Sequence, residues 1–136
     1  MSNYPKHIAI IPDGNRRWAK KRRLQPWKGH QAGAKSFEKV LEKALELKIP
    51  YMTFWGGSWD NLTKRNRAEI KFLFKVYDNM FRRILKDKRT HRNKVRIRAL
   101  GRWRELLPQK TQNTIDEAIR ITKEYDKNFL TFLLAY

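Results

Sequence analysis

The sequence predicts an α/β protein: a parallel sheet with crossover helices, in the order β-α-β-α-β-α-β. Three observations predict it. Four short apolar runs, "HIAII" (7–11), "YMTFW" (51–55), "KVRIRAL" (94–100) and "FLTFLLA" (129–135), have the length and composition of strands. Between them lie three stretches whose apolar residues recur at three- and four-residue spacing, the period of a helix packed on one face. Strands that alternate with helices in this way pair in parallel, through crossovers. At 136 residues and 40% apolar, the chain suits one domain, residues 1–136, with a sizeable core.

The first run, His7–Ile11, is almost continuously apolar, as a central parallel strand is. At its carboxyl end, where open α/β sheets bind ligands, stands "PDGNRRW" (12–18). Gly14 permits a tight turn with positive φ. The amides of Gly14, Asn15, Arg16 and Arg17 can then converge on an anion as a helix begins. Arg16 and Arg17 add fixed charge and forked donors suited to phosphate oxygens. Asp13 would repel that phosphate unless a divalent cation stood between them. Mg²⁺ fits, because it takes one or two carboxylates together with phosphate oxygens and water. Asp13 is therefore the candidate metal ligand and a diphosphate the candidate anion. The plainer reading of the same residues is a common Asp-Gly turn followed by a solvated basic helix face, and the pattern alone favours it. No Walker sequence and no GxGxxG is present.

The first long helix is expected over Ala34–Lys48, with Phe37, Val40, Leu41, Ala44 and Leu45 on one face. Just before it, "KGHQAGAKS" (28–36) sets His30 between Gly29 and Gly33. A histidine there can transfer a proton or meet a phosphate; a loop histidine capping a helix is the ordinary alternative. The second strand, Tyr51–Trp55, opens into "FWGGSWDNLTKR" (54–65), at the same sheet edge as Asp13. Gly56 and Gly57 let the chain leave the strand sharply. Ser58, Asp60 and Asn61 can orient water, a hydroxyl or a phosphate, and Lys64 and Arg65 add charge. A plain strand-to-helix loop with an Asn or Thr N-cap explains these residues too.

A second helix is expected over Ala68–Lys86, with Ile70, Leu73, Phe74, Tyr77, Phe81, Ile84 and Leu85 on its apolar face. "KVRIRAL" alternates basic and apolar residues, which suits an edge or half-exposed strand. The third helix covers roughly 109–125, with Ile115, Ala118, Ile119 and Thr122 on one face. "FLTFLLA" is again continuously apolar and reads as central. The sequence stops directly after it, so a longer domain, of which this is the N-terminal portion, is expected. His7 reads as structural and His91 as solvated.

Composition narrows the classes. There is no cysteine, so disulfides and thiolate metal sites are excluded. No apolar run approaches the roughly 20 residues of a membrane span, and the N-terminus lacks the apolar core of a signal peptide. A cytoplasmic protein, soluble or peripheral at the membrane surface, is expected. The formal net charge of +19 attracts nucleic acid, anionic lipid or phosphorylated small molecules. The five tryptophans and the basic segment Arg82–Arg104 support a nucleic-acid-binding domain as the alternative.

Taken together and in this order, the motifs resemble those of the cis-prenyltransferases, the undecaprenyl diphosphate synthase family. "HIAIIPDGNRRWAKKR" resembles the family's opening H-x-A-I-I-M-D-G-N-x-R-W-A motif, "GHQAGAKS" its G-H-x-x-G segment, and "FWGGSWDNLTKRNRAEIKFLF" its Phe-Ser-x-Glu-Asn stretch. "FLTFLLAY" resembles the strand before the family's Gly-Gly-Arg turn. The resemblance spans the whole chain but only the N-terminal part of the family domain. It implies an incomplete undecaprenyl diphosphate synthase-like fold and a set of roles. Asp13 would work with Mg²⁺ at an allylic diphosphate such as farnesyl diphosphate, in the turn formed by Gly14, Asn15, Arg16 and Arg17. Trp18 matches the motif Trp, His30 and Asn61 would assist catalysis, and Arg65 matches an Arg after the Asn. Lys28 and Ser58 would be further substrate contacts.

The reaction implied is condensation of isopentenyl diphosphate onto the allylic diphosphate, with the stripe on Ala68–Leu85 either walling an apolar tunnel or serving as core. Pro12 stands where Met is usual, Gly56 and Gly57 replace bulkier residues, and Trp59 intrudes beside Asp60. The family's isopentenyl diphosphate site follows "LLAY". The resemblance thus implies an allylic half-site, inactive alone; the partners it implies are a homodimer mate or a complementary C-terminal chain. A non-catalytic, membrane-surface subunit paired with an active partner is a further possibility. The opening motif weighs against nucleic acid, since charge alone does not call for Asp13 followed by Gly-Asn-x-Arg-Trp.

Overall fold

The apolar runs form strands, and the strands pair in parallel. The computed structural model describes residues 3–136. Strands β1 (His7–Ile10), β2 (Tyr51–Gly57), β3 (Val95–Leu100) and β4 (Asn128–Leu134) make one sheet in the order β1-β2-β4-β3. Ile8 sits beside Met52, Met52 beside Leu130, and Leu130 beside Ile97, so one face is apolar from edge to edge. β4 is internal and β3 is an edge, as their patterns indicate. β1 is also an edge here, not the central strand that its continuous apolar run suggests. Apolar character reports a strand's affinity for covered surroundings, whereas its neighbours are fixed by the crossovers.

The helices are α1 (Asn15–Lys21), α2 (Pro26–Glu46), α3 (Trp59–Lys64), α4 (Arg67–Lys86), α5 (Lys88–Arg92), α6 (Trp103–Leu106) and α7 (Gln109–Ile121). The second of these begins eight residues before the expected Ala34. Pro26 occupies its first turn, where a missing N–H costs nothing and φ is already helical. His30, Gly29 and Gly33 therefore lie within the helix, not in a loop before it. Those two glycines let α1 lie close. A Cβ on Gly29 would stand 2.0 Å from the Asn15 carbonyl oxygen, and one on Gly33 would stand 2.6 Å from the Asn15 side chain.

At the other end of the fold, α7 stops at Ile121, short of the expected Tyr125. Thr122 is fully buried there; its hydroxyl accepts from Ile97 N at 3.0 Å and donates to the Ala118 carbonyl. It satisfies a backbone donor of edge strand β3 that no neighbouring strand reaches. His91 is not solvated but half-buried, bridging the Tyr125 hydroxyl and the Leu85 carbonyl.

The core lies between the apolar face of the sheet and helices α2, α4 and α7. Phe37 of α2 packs 4.2 Å from Phe54 of β2, and Phe81 of α4 packs 4.5 Å from Phe132 of β4, ring centre to ring centre. Each such ring contributes about 1.5–3 kcal/mol through burial alone. Tyr77, Met80, Phe81 and Ile84 of α4 all belong to this core, so most of the helix's apolar stripe is packing. The opposite face of the sheet, carrying Ala9, Tyr51, Thr53, Arg98, Phe129 and Thr131, stays half-buried or exposed.

Candidate functional site

The carboxyl ends of β1 and β2 open into a cleft of about 370 Å³. Asp13, Gly14, Asn15, Arg16 and Arg17 line one wall, His30 another, and Asn61 and Arg65 a third, with Trp55, Leu73 and Tyr77 among its apolar lining. Residues from four separate segments thus meet at one sheet edge, where the topology of an open parallel sheet puts ligands.

The first wall follows from one glycine. Gly14 is the N-cap of α1 at φ 91°, a left-handed conformation that side-chain-bearing residues rarely adopt. The turn brings Asp13 back over the helix start, where its carboxylate accepts from Arg17 Nη2 at 2.8 Å. Both side chains remain largely in solvent, 85% exposed for Asp13 and 72% for Arg17, so the pair is weak and open to exchange. The first-turn amides of α1 have no acceptor within the helix, as at every helix start.

The second wall is built around a buried carboxylate. Glu69, 4% exposed, lies in the first turn of α4. Its Oε1 is 2.9 Å from His30 Nε2, 3.5 Å from Arg16 Nε and 3.6 Å from Arg65 Nη1. Burial holds the His30 imidazole below its ordinary value of 6.5, outweighing the hydrogen bond and charge of Glu69, which act the other way.

The third wall is a capped helix start. Ser58, not Asn or Thr, is the N-cap of α3: its hydroxyl accepts from Asn61 N at 3.0 Å, while the Asn61 side chain accepts from Ser58 N at 3.4 Å. This reciprocal box fixes Asn61 at the cleft wall. The floor is fixed from behind: Tyr77 donates from its hydroxyl to the Gly56 carbonyl, a reach that Gly57 permits, since a Cβ there would stand 2.8 Å from that hydroxyl. Burial pushes the Tyr77 hydroxyl well above its ordinary value. Trp55 Nε1 is the one buried side-chain polar atom without a hydrogen-bond partner among the described residues.

Of the residues singled out in the sequence, Asp13, Gly14, Asn15, Arg16, Arg17, His30, Asn61 and Arg65 share this cleft. Three of those that the family resemblance assigns do not line it. Trp18, with Arg22 stacked 4.1 Å over its ring, faces a neighbouring groove of about 320 Å³ that Phe37, Val40 and Phe54 make apolar. Ser58 serves as the cap of α3. Lys28 projects from α2 into solvent. Trp59, which interrupts the family-like stretch, is stacked by Arg102 at 3.8 Å and ties α3 to the turn after β3. Tyr77, on the apolar stripe expected to wall a tunnel or serve as core, does line the cleft, as does Trp55; sequence reasoning missed Glu69. For Glu69 the signal was present: it is a lone acid in "KRNRAEIK", four residues after Arg65.

Among the described residues no three His, Cys, Asp or Glu side chains converge. The donor set at the turn nevertheless fits Mg²⁺. A solvent-facing carboxylate beside unpaired amides and two arginines suits an ion that shares its coordination with diphosphate and water.

Fold and cleft together define a parallel α/β protein with a cleft lined by arginines, a histidine and an exposed carboxylate at the carboxyl edge of its sheet. Residues 11–136 match the prenyltransferase family described as undecaprenyl diphosphate synthase. The chain is 42% identical, over 132 residues, to the tritrans,polycis-undecaprenyl-diphosphate synthase (geranylgeranyl-diphosphate specific) of Pyrococcus furiosus, covering 97% of this chain and 49% of that protein. It is likewise 42% identical to an isoprenyl transferase of Thermotoga maritima, over 97% of this chain and 54% of that one. A crystal structure of lavandulyl diphosphate synthase from Lavandula x intermedia, in complex with dimethylallyl diphosphate, superposes with a TM-score of 0.89 at 30% identity, over 97% of this chain and 55% of that chain. The chain belongs to the cis-prenyltransferase family. It spans about half the length of the relatives it matches. Among the described residues no helix is long and apolar enough to cross a membrane.

Proposed function

We propose that this chain carries the allylic-diphosphate half of a cis-prenyltransferase site, in which isopentenyl diphosphate is condensed onto an allylic diphosphate to extend a polyprenyl chain. One observation carries the reading: Asp13, Arg16, Arg17, His30, Asn61 and Arg65, from separate segments, line a single cleft at the carboxyl edge of the sheet. Arg16, Arg17 and the first-turn amides of α1 bind the diphosphate and are already oriented when the allylic C–O bond ionises, so they stabilise the charge that gathers on the leaving group. Asp13 would hold Mg²⁺, which supplies further neutralisation of that charge. Asn61, fixed by its cap with Ser58, orients the substrate by hydrogen bonding. Trp55, Leu73 and Tyr77 give the hydrocarbon an apolar surface to lie on and exclude water. The Pyrococcus furiosus relative is named for geranylgeranyl diphosphate, so it stands beside farnesyl diphosphate as the substrate class.

The isopentenyl diphosphate half of the site belongs, in this reading, to the part of the family domain outside these residues, which a complementary C-terminal chain would supply. Peripheral contact with an anionic membrane surface is consistent with the net charge of +19. The test is calorimetric titration of the chain with farnesyl and geranylgeranyl diphosphate, with and without Mg²⁺. Binding that requires Mg²⁺, and that Asp13→Ala weakens at least tenfold while Lys21→Ala does not, is the expected result. Equal losses in the two variants, or binding indifferent to Mg²⁺ and shared by DNA of equal charge, would replace this reading with generic polyanion attraction.

A further inference from the structure

We infer that Glu69 is the positioning residue of the cleft: one buried carboxylate oxygen that holds His30 in its Nε2–H tautomer and draws Arg16 and Arg65 to the same point. The inference deepens the diphosphate reading above and, for the two arginines, rests on it.

Oε1 of Glu69 has three basic neighbours, at 2.9, 3.5 and 3.6 Å, from α2, α1 and the end of α3, while Glu69 itself belongs to α4. The elements that carry the cleft's cationic and proton-bearing groups are joined at this atom. A carboxylate 4% exposed is costly to bury, and only a dense set of donors compensates it. Local helix chemistry does not account for its orientation. Glu69 stands three residues after the N-cap Asn66, where a glutamate ordinarily turns back to the N-cap amide and closes a capping box. Its carboxylate is turned to His30 instead, although the box of α3 is closed.

The tautomer follows from donor and acceptor arithmetic. An ionised carboxylate flanked by two guanidiniums only accepts, so the Nε2 facing it carries the hydrogen. His30 Nδ1 has no hydrogen-bond partner among the described residues. With Nε2 committed as donor, the neutral ring offers its lone pair at Nδ1. The imidazole that lines the cleft is therefore a fixed acceptor, able to take a hydrogen bond or a proton there.

The experiment uses the whole 136-residue chain, labelled with ¹⁵N-histidine, and reads the His30 ring nitrogens by NMR at a pH where the ring is neutral, with His30→Asn identifying its signals. Wild type is expected to show the Nε2–H pattern. Glu69→Gln, whose amide can donate as well as accept, is expected to populate the Nδ1–H form and to weaken inorganic diphosphate binding about tenfold. Asp78→Asn removes a different buried carboxylate of α4 and should leave both readouts unchanged. An Nδ1–H pattern in wild type overturns the inference whatever the variants do. So does a Glu69→Gln chain with the wild-type pattern and affinity, or an Asp78→Asn chain that shifts both as far. Failure of wild type to bind diphosphate at all, with the tautomer as expected, overturns the diphosphate reading and the arginine role while the tautomer lock stands.

Discussion

Asp13 and Glu69 are acids in strongly basic stretches, and the fold gives them opposite surroundings. Asp13 is 85% exposed and touches only one arginine; Glu69 is buried against two arginines and a histidine. An exposed pair contributes little to stability, so Arg17→Ala should leave the melting temperature unchanged while weakening farnesyl diphosphate binding several-fold. Calorimetry and thermal denaturation on one sample check both halves. The buried pair has a pH signature. His30 has a pKa lowered in the folded state, so the unfolded chain binds more protons as pH falls below about 6.5. The stability it preserves is complete above 6.5 and is lost as pH drops through that value toward the folded one. Denaturant melts between pH 7.5 and 5 should show that decline, and His30→Asn should flatten it.

Helix α2 shows how an element positions chemistry. Its early start puts His30 one turn in, facing the cleft, and its glycines set how near α1 and the Asp13 turn can come. An exposed mid-helix Gly→Ala change gains up to about 1 kcal/mol from propensity. At Gly29 the added methyl would meet the Asn15 backbone, which cannot rotate away. Gly29→Ala should therefore cost about 1–3 kcal/mol by overpacking, read as a lower denaturation midpoint. Gly33→Ala meets the Asn15 side chain, which can swing aside, and should cost less. Equal midpoints for the two variants would contradict this account of the α1–α2 contact. The glycines were legible as flanking His30; their role was not, because a close approach is a property of two helices and neither sequence segment contains it.

Across the whole molecule, helices cover one face of the sheet and leave Tyr51 and Arg98 of the other exposed. The chain spans about half the length of its relatives, and one cleft gathers the groups that the proposed allylic-diphosphate site uses. Mixing the chain with farnesyl and isopentenyl diphosphate and Mg²⁺ should give no polyprenyl product. Adding the C-terminal half of a family member should restore it. Robust product from the chain alone, followed with radiolabelled isopentenyl diphosphate, would show that the half-site reading is wrong.

The sequence by itself determined the four strands, the three long helices, the parallel pairing and the turn that carries Asp13, because each of these is written in local periodicity, in a glycine's conformational freedom or in a contiguous motif. Tertiary structure decided that β1 lies at an edge, that the apolar stripe of α4 is mostly core, and that Ser58 caps α3 instead of lining the cleft. It also decided that Glu69, 39 residues from His30, is that histidine's partner. Such facts depend on which elements come to lie side by side, and the energy that selects among them is shared by contacts far apart along the chain.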